Sequence, residues 1–343
     1  MFLLDTYLAF GLSVLIAFGV TALLGLVMVP WLRRLKFGQT ILEYGPKWHS
    51  GKQGTPTMGG LMFIIGIFAA VAVVFVTDKF MGGDIIAGDN PVRSAMYSKL
   101  FAGLVMALSL GLIGFVDDYI KVVKKRNLGL TIRQKTLMQL LVIIAFLGSL
   151  KLSGCSFMYI PFYGVTGDLG IFFFLFGIVL IYGATNAVNF TDGIDGLCSS
   201  VTLTSAAAMI VIAFMRNNLG AGVVAAALAG ACAGFLVWNW NPAKVFMGDT
   251  GSMFLGGIIV ALAYAVDCPL ILLPVGIIYF IEGLSDVLQI GYFKLTHGKR
   301  IFKMAPIHHH FEMSGWKEKK IVIVFSLVNL IGCAAGIALV KFG

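Results

Sequence analysis

Five aspartates in three separate segments are the residues of this 343-residue chain best suited to chemistry. Asp117 and Asp118 close one long apolar run, Asp192 and Asp195 follow another, and Asp249 precedes a third. Carboxylates at the border of hydrocarbon are expensive and usually functional. Hard oxygen ligands without a thiolate pattern favour magnesium or manganese over zinc. Asp117 and Asp118 alone also fit a helix-end pair solvated by headgroup water, but five aspartates on one face favour a site.

Basic residues surround the same segments. Acids that hold a metal and cations that hold phosphate together predict a phosphoryl-transfer site. The chain has no GxxxxGK(S/T) motif, which excludes a P-loop NTPase. The basic residues are Lys52, Lys121, Lys124, Lys125, Arg126, Arg133, Lys135, Lys244, Lys299, Arg300 and Lys303.

Three consecutive histidines, His308, His309 and His310, follow the ninth apolar run. A zinc tract is one interpretation, but adjacent side chains on a regular element cannot all face one ion. The run is internal and short, which argues against an expression tag. Contact with phosphate or with a metal-bound ligand is the sharper hypothesis, and it needs only one or two of the three.

The composition identifies the class of protein that must position these residues. Hydrophobic residues make up 59% of the chain and charged residues 12%, against about 45–50% and 25% in soluble domains. The apolar runs are continuous and do not alternate, which excludes a β-barrel. Five scattered cysteines without a CxxC pair predict neither a zinc site nor a disulfide framework.

The sequence therefore predicts an all-α polytopic membrane protein, a single domain over residues 1–343 with about ten transmembrane helices. Residues 157–163, with Gly164 and Gly167-Asp168 following, predict a short β-hairpin between two of the spans. The expected spans are 8–31, 58–77, 100–116, 136–150, 171–188, 198–215, 219–237, 253–267, 270–290 and 321–340.

Lysine and arginine predict the orientation of these spans. The five connections that share a side hold 19 of the 25 basic residues. The positive-inside rule makes that side cytoplasmic, so both termini are expected outside and the hairpin in the periplasm. The net charge of +9 then reflects topology and anionic partners such as membrane lipid at the inner face, and nothing suggests nucleic acid.

Five motifs give the chain a family resemblance. They are Gly-Thr-Pro-Thr-Met-Gly-Gly at 54–60, Asp-Asp-Tyr at 117–119, the segment 189–196, Phe-Met-Gly-Asp at 246–249 and Ala-Pro-Ile-His-His-His at 305–310. In this order they resemble the phospho-N-acetylmuramoyl-pentapeptide transferases of bacterial peptidoglycan synthesis. The aspartates alone indicate only the wider polyprenyl-phosphate sugar-1-phosphate transferase superfamily. The Pro-Thr-Met-Gly-Gly and Ala-Pro-Ile-His-His-His motifs narrow the resemblance to the muramoyl branch.

The resemblance implies a magnesium-dependent reaction at the cytoplasmic face of the bacterial inner membrane. Undecaprenyl phosphate attacks the sugar-linked phosphorus of UDP-N-acetylmuramoyl-pentapeptide, giving lipid I and UMP. A homodimer is expected from relatives of this kind, although no motif here demonstrates one.

The resemblance also implies roles for single residues. Asp249 resembles the magnesium ligand, and Asp117 and Asp118 resemble the pair that handles the nucleophile. Phe246 resembles a residue that stacks on uracil. The implied catalytic set is Asp117, Asp118, Asp249 and His308, and the implied substrate-binding set is Lys52, Lys121, Lys135, Asn189, Asp192, Asp195, Asn239, Phe246, His309 and His310.

Several alternatives stay open at this level. Direct displacement, with Asp117 orienting the acceptor or acting as its base, competes with a covalent aspartyl-phosphate route through Asp118 or Asp117. A secondary transporter is a rival class, but transporters carry their charges near the bilayer midplane, whereas these acids sit at span ends. A sister enzyme that uses UDP-N-acetylglucosamine is a closer rival. Glu282 and Asp286 are given no role.

Overall fold

A computed structural model describes residues 5–35, 52, 54–87, 93–124 and 128–343. Within these ranges, nine helices are long and apolar enough to cross a membrane, or ten if one bent pair counts as a single span. This confirms the predicted all-α polytopic class with about ten spans. Lys125 and Arg126 lie outside the described residues.

The helices follow the apolar runs closely. The spans are α1 (Thr6–Arg34), α2 (Gly60–Phe80), α3 (Arg93–Val123), α4 (Ile132–Leu152), α5 (Ile171–Thr191), α6 (Leu197–Met215), α7 (Leu219–Asn239) and α8 (Gly248–Ala265), then the pair α9 (Leu272–Val275) and α10 (Ile277–Leu295), and α12 (Glu318–Phe342). A short helix, α11 (Ile307–Glu312), and a 3₁₀ turn, Pro269–Ile271, complete the helical part.

Helices α7 and α8 form the centre of the bundle. Residues 250–265 of α8 are all buried, and α8 packs against α3 and α5, while α7 packs against α1 and α6. The outer helices α1, α4 and α12 expose large apolar side chains, as expected where a helix faces lipid. Small residues permit the closest contacts: a Cβ at Gly230 of α7 would overlap the backbone carbonyl of Val14 in α1.

The segment in which the sequence predicts a span over 270–290 is bent, because α9 and α10 meet at an angle of 84°. Pro274 lies inside α9 and cannot donate a backbone hydrogen bond. At the break itself, the Val275 carbonyl accepts hydrogen bonds from the Ser205 hydroxyl at 2.8 Å and the Asn329 amide at 3.1 Å. Polar side chains must satisfy such a break because lipid offers no partner.

A hairpin of two-residue strands follows α4, in the segment where the sequence predicts one. Strands β1 (Tyr159–Ile160) and β2 (Gly164–Val165) pair antiparallel. The Tyr159 N–H donates to the Asp267 carbonyl at 2.6 Å, and the Asp267 carboxylate pairs with Lys99 at 2.5 Å. These contacts fix the hairpin to the ends of α3 and α8. The side of the membrane that it occupies stays a prediction.

Candidate active site

Three carboxylates meet where the end of α3 approaches the first turn of α8. Asp117 and Asp118 belong to α3, and Asp249 is the second residue of α8. Gly114 permits this approach, because a Cβ there would overlap the Asp249 carbonyl. One oxygen from each aspartate lies within 4.8 Å of the others. This acid cluster, Asp117, Asp118 and Asp249, has the spacing and the hard oxygen donors that suit a divalent cation.

Asp118 also anchors the start of α8. Its Oδ2 accepts hydrogen bonds from the Thr250 N–H at 2.9 Å and the Thr250 hydroxyl at 2.7 Å, while its Oδ1 accepts from the Asp249 N–H at 3.3 Å. Free N–H groups and the dipole at a helix N-terminus favour a carboxylate there. The residue is only 3% exposed. Asp118 therefore holds Asp249 in place as well as contributing to the acid cluster.

Two lysines neutralise most of the cluster. The Lys121 ammonium lies 2.6 Å from an Asp117 oxygen and 3.2 Å from an Asp249 oxygen. The Lys135 ammonium, from the first turn of α4, lies 2.8 Å from the same Asp249 oxygen. Three carboxylates against two ammonium groups leave one net negative charge when all are ionised. The lysines thus permit three acids to lie together and leave one negative charge that a further cation could balance.

Asn189, near the end of α5, completes the surroundings of Asp249. Its amide donates to Asp249 Oδ1 at 3.1 Å and to the Ser252 hydroxyl at 2.8 Å. Asp117 is held separately, because its Oδ1 accepts from the Leu130 N–H at 2.7 Å. Both oxygens of Asp249 are therefore fixed by groups from three other helices.

Two of the sequence motifs are hydrogen-bonded to each other. The Phe246 N–H donates to the Pro56 carbonyl at 2.8 Å, and the Phe246 carbonyl accepts from the Gly59 N–H at 2.8 Å. The Gly60 N–H donates to the Met247 carbonyl at 3.0 Å. Because a Cβ at Gly60 would overlap the backbone of Gly251, only glycine permits this contact. The segment 54–60 therefore fixes the backbone that leads into Asp249.

A second charged group joins distant parts of the chain beside the acid cluster. The Lys52 ammonium lies 2.7 Å from both Asp195 and Glu318. The Asn241 amide donates to the same two carboxylates, at 3.1 and 3.2 Å. This lysine clamp (Lys52, Asp195, Asn241 and Glu318) connects the loop after α5 to the loop after α7 and the start of α12. Sequence reasoning missed Glu318 and Asn241, which no local pattern distinguishes.

Asp192 caps the end of α5 at the edge of the acid cluster. Burial raises the pKa of its carboxyl well above the usual range, and the neighbouring Asp249, Asp118 and Asp195 carboxylates add to the rise.

Asn239 and Phe246, two members of the predicted substrate-binding set, have different surroundings. Asn239 is 2% exposed; its amide accepts from the Gly196 N–H at 3.1 Å and donates to the Val245 carbonyl at 2.9 Å. It joins two loops and acts as a positioning residue. Phe246 is half-buried, with its backbone clamped on both sides, so its ring is the part that remains available for contact.

His308 lies behind the site. The ring is fully buried, and its Nδ1 is 3.0 Å from Glu282 of α10. Nε2 has no hydrogen-bond partner and faces Gly193, where a Cβ would overlap the ring. Within the described ranges, neither ring nitrogen contacts the acid cluster. The catalytic role of His308 stays a prediction. Its anchor, Glu282, was assigned no role from the sequence.

The next two histidines have partners of their own. His309 Nδ1 lies 2.6 Å from Glu312, one turn further along α11. His310 Nδ1 accepts a hydrogen bond from the Lys303 N–H at 3.1 Å. The three consecutive rings thus face three different groups, in agreement with the expectation that they cannot share one ion.

Two family models match the segments of the chain that form this site. The family described as glycosyl transferase family 4 matches residues 100–267, which include most of α3, all of α8 and the whole acid cluster. The phospho-N-acetylmuramoyl-pentapeptide-transferase signature 1 matches residues 52–64, the segment bonded to Phe246 and Met247.

Relatives named phospho-N-acetylmuramoyl-pentapeptide-transferase match almost the whole chain. A protein of Listeria monocytogenes serotype 4b is 44% identical over 328 residues, 95% of this chain and 97% of the relative. One of Desulforamulus reducens is 45% identical over 337 residues, 95% and 96% of the two chains. The chain belongs to this family. This membership confirms the resemblance drawn from the five motifs. A relative of the same name from Bacillus velezensis is 42% identical over 95% of this chain.

Family membership does not by itself assign roles to side chains. The structure brings Asp117, Asp118, Lys121, Lys135, Asn189 and Asp249 into direct contact as one group. It gathers Lys52 and Asp195 in the lysine clamp and leaves His308 behind the loop that carries Gly193. The predicted site residues therefore fall into two polar groups, the acid cluster with its lysines and the lysine clamp, while His308 is buried and belongs to neither.

Proposed function

We propose that this chain transfers phospho-N-acetylmuramoyl-pentapeptide from UDP-N-acetylmuramoyl-pentapeptide to undecaprenyl phosphate, forming lipid I and releasing UMP. Membership of the transferase family over 95% of the chain supports this reaction. The observation that carries the assignment of the site is the acid cluster with two lysines between its carboxylates. Transfer between two anionic phosphates requires both kinds of group.

The acid cluster is the proposed magnesium site, with Asp249 as the principal ligand. The Asp249 carboxylate is a hard oxygen donor of the kind that magnesium prefers, and Asp117 and Asp118 add negative charge from oxygens that lie within 4.8 Å of it. Magnesium bound there would neutralise the donor diphosphate and stabilise the leaving UMP.

Lys121 and Lys135 are proposed to release Asp249 and to bind the diphosphate when the donor binds. Their side chains are 33% and 20% exposed, so each ammonium can reach the open face. A lysine suits this exchange because its charge sits on a flexible stem with three donors. The same two charges then reduce the repulsion between the lipid phosphate and the diphosphate.

Asp117 is proposed to orient the lipid phosphate for direct displacement. A phosphate monoester has a second pKa of about 6, so the acceptor needs little help in losing a proton at neutral pH. The surroundings of Asp118 argue against the covalent alternative through that residue, since its Oδ2 accepts two hydrogen bonds from Thr250 and its Oδ1 accepts one from the Asp249 N–H. An oxygen committed in this way is a poor nucleophile.

The nucleoside is proposed to bind beside Phe246, with Asp192 supplying hydrogen bonds. The half-buried Phe246 ring offers a face for uracil, because any base can stack on an aromatic side chain. Asn239 and the lysine clamp position the loops on either side.

The Phe246→Ala variant is expected to bind the UDP-linked donor more weakly by about 1–3 kcal/mol, the usual value of one base stacked on an aromatic side chain. Binding of the lipid acceptor is expected to be unchanged. Titration of UDP and of a polyprenyl phosphate into the purified chain measures both. Phe172→Ala, which removes a 70% exposed phenylalanine of α5, is the control. Equal losses for both ligands would mean that Phe246 only packs its loop.

The site is proposed to face the cytoplasm, in a multi-pass protein of the bacterial inner membrane. The asymmetry of lysine and arginine supports this orientation. A homodimer is likewise a proposal, supported only by the family resemblance.

Single cysteines test the orientation. Lys124→Cys and Lys299→Cys are expected to resist an impermeant maleimide in intact cells, whereas Gly167→Cys beside the hairpin is expected to label. All three positions are exposed, and the five native cysteines are buried. Permeabilised cells, where all three should react, provide the control. Labelling of all three from outside would refute a cytoplasmic site.

The reaction itself is tested by supplying purified protein in lipid with undecaprenyl phosphate and each UDP-sugar. We expect release of UMP and a lipid product of the mass of lipid I with UDP-N-acetylmuramoyl-pentapeptide only. Product formed with UDP-N-acetylglucosamine would instead assign the chain to the sister reaction.

A further inference from the structure

A pair of amide side chains crosses the apolar interface between α4 and α5. Gln139 of α4 is 1% exposed. The Asn186 amide of α5 donates to the Gln139 carbonyl oxygen at 2.9 Å, and the Gln139 amide donates back to Asn186 at 3.5 Å. Asn186 also donates to the backbone carbonyl of Tyr182 at 2.8 Å. The two amides therefore pair reciprocally between neighbouring helices.

This pair lies one helical turn from the two residues that hold Asp249 from α4 and α5. Gln139 follows Lys135 by four residues, and Asn186 precedes Asn189 by three, so each shares a helix face with its neighbour. Lys135 bonds Asp249 Oδ2 at 2.8 Å, and Asn189 bonds Asp249 Oδ1 at 3.1 Å. Each oxygen of Asp249 is thus held by a residue that lies about one helical turn from a member of the pair.

An amide pair specifies the relative position of two helices more strictly than apolar packing does. A slip of one residue moves a helix by about 1.5 Å and turns its side chains by about 100°. Leucine contacts such as that of Leu147 with Gly177 tolerate small shifts, but a hydrogen bond loses strength quickly with angle and distance. Lipid supplies no substitute partner at this depth.

We propose that Gln139 and Asn186 are positioning residues, which set α4 against α5 so that Asp249 presents its oxygens to a divalent cation. This inference takes one element from the proposed function, namely that the acid cluster binds a divalent cation. It predicts that loss of the pair weakens cation binding although neither residue touches the acid cluster. Partners of this indirect kind typically change metal affinity about 10–100-fold.

The test measures Mn²⁺ affinity by electron paramagnetic resonance on the full-length chain without substrates. Gln139→Leu and Asn186→Leu are each expected to weaken Mn²⁺ binding about tenfold or more. Exchanging the two residues, Gln139→Asn with Asn186→Gln, is expected to restore most of the affinity. Gln139→Asn alone gives the same test if a leucine variant does not fold. It keeps a polar amide but shortens the side chain by one methylene, so Mn²⁺ binding is again expected to weaken.

Tyr182→Phe is the matched control. It removes the hydroxyl that meets Thr136 at 3.0 Å across the same helix pair, and Mn²⁺ affinity should change by less than about threefold, the size of an average hydrogen bond between membrane helices. Leucine variants that lower only the melting temperature, or a control that weakens binding equally, would overturn the proposal. A wild-type chain that binds Mn²⁺ but forms no lipid product would refute the proposed function. The Mn²⁺ affinities of the variants would still test the role of the amide pair.

Discussion

Asp249→Asn is expected to reduce lipid product formation by about 10³-fold or more at ordinary magnesium concentrations, because a bound cation contributes several kcal/mol to transfer between phosphates. The substitution keeps the size of the side chain but removes one negative charge from the acid cluster. It also leaves Lys121 and Lys135, at 3.2 and 2.8 Å, without their shared partner. Both effects lower the affinity for a cation, so part of the activity should return as magnesium is raised.

The measurement is the magnesium dependence of product formation, together with Mn²⁺ binding in the absence of substrate. Asp168→Asn is the control, since Asp168 pairs with Lys151 and Ser156 beside the hairpin and its loss removes a carboxylate without touching the acid cluster. Full activity of Asp249→Asn would mean that the whole site is misplaced.

The class of protein and most helix positions could be predicted, because long apolar runs admit few alternatives in a membrane. The break between α9 and α10 could not be predicted from hydropathy, since all of its residues are apolar. Pro274 was the available local signal, but its effect depends on Asn329 and Ser205, which are distant in sequence. A window of apolar residues cannot report partners supplied by other helices.

The aspartates of the site could be predicted from their types and from the side of the membrane that they share. Their separate duties could not, because these depend on geometry. Asp118 and Asp117 are adjacent in sequence, yet one anchors Thr250 and the other meets Leu130 and Lys121. The lysine clamp depends on Lys52 and Glu318, which are far apart along the chain and only 2.7 Å apart in space.

Asp117→Asn is expected to act on turnover and to leave the cation in place. The asparagine oxygen can still accept the Leu130 hydrogen bond that Asp117 accepts at 2.7 Å, so the local backbone should be kept. The partner of Lys121 at 2.6 Å is lost, and no carboxylate remains there to orient the acceptor or take its proton. Loss of one general base typically costs about 10²–10⁴-fold in rate.

The pH dependence of this loss has a definite sign. Below a pH of about 6 a phosphate monoester carries a proton, and above it the dianion predominates. If Asp117 helps to remove that proton, the deficit of Asp117→Asn should shrink as pH rises, while Mn²⁺ affinity stays near that of the wild type. If Asp117→Asn instead shifts the magnesium requirement as strongly as Asp249→Asn does, Asp117 is a metal ligand and its proposed role toward the lipid phosphate is wrong. The two variants, compared over the same range of pH and magnesium, therefore separate holding the cation from preparing the lipid phosphate.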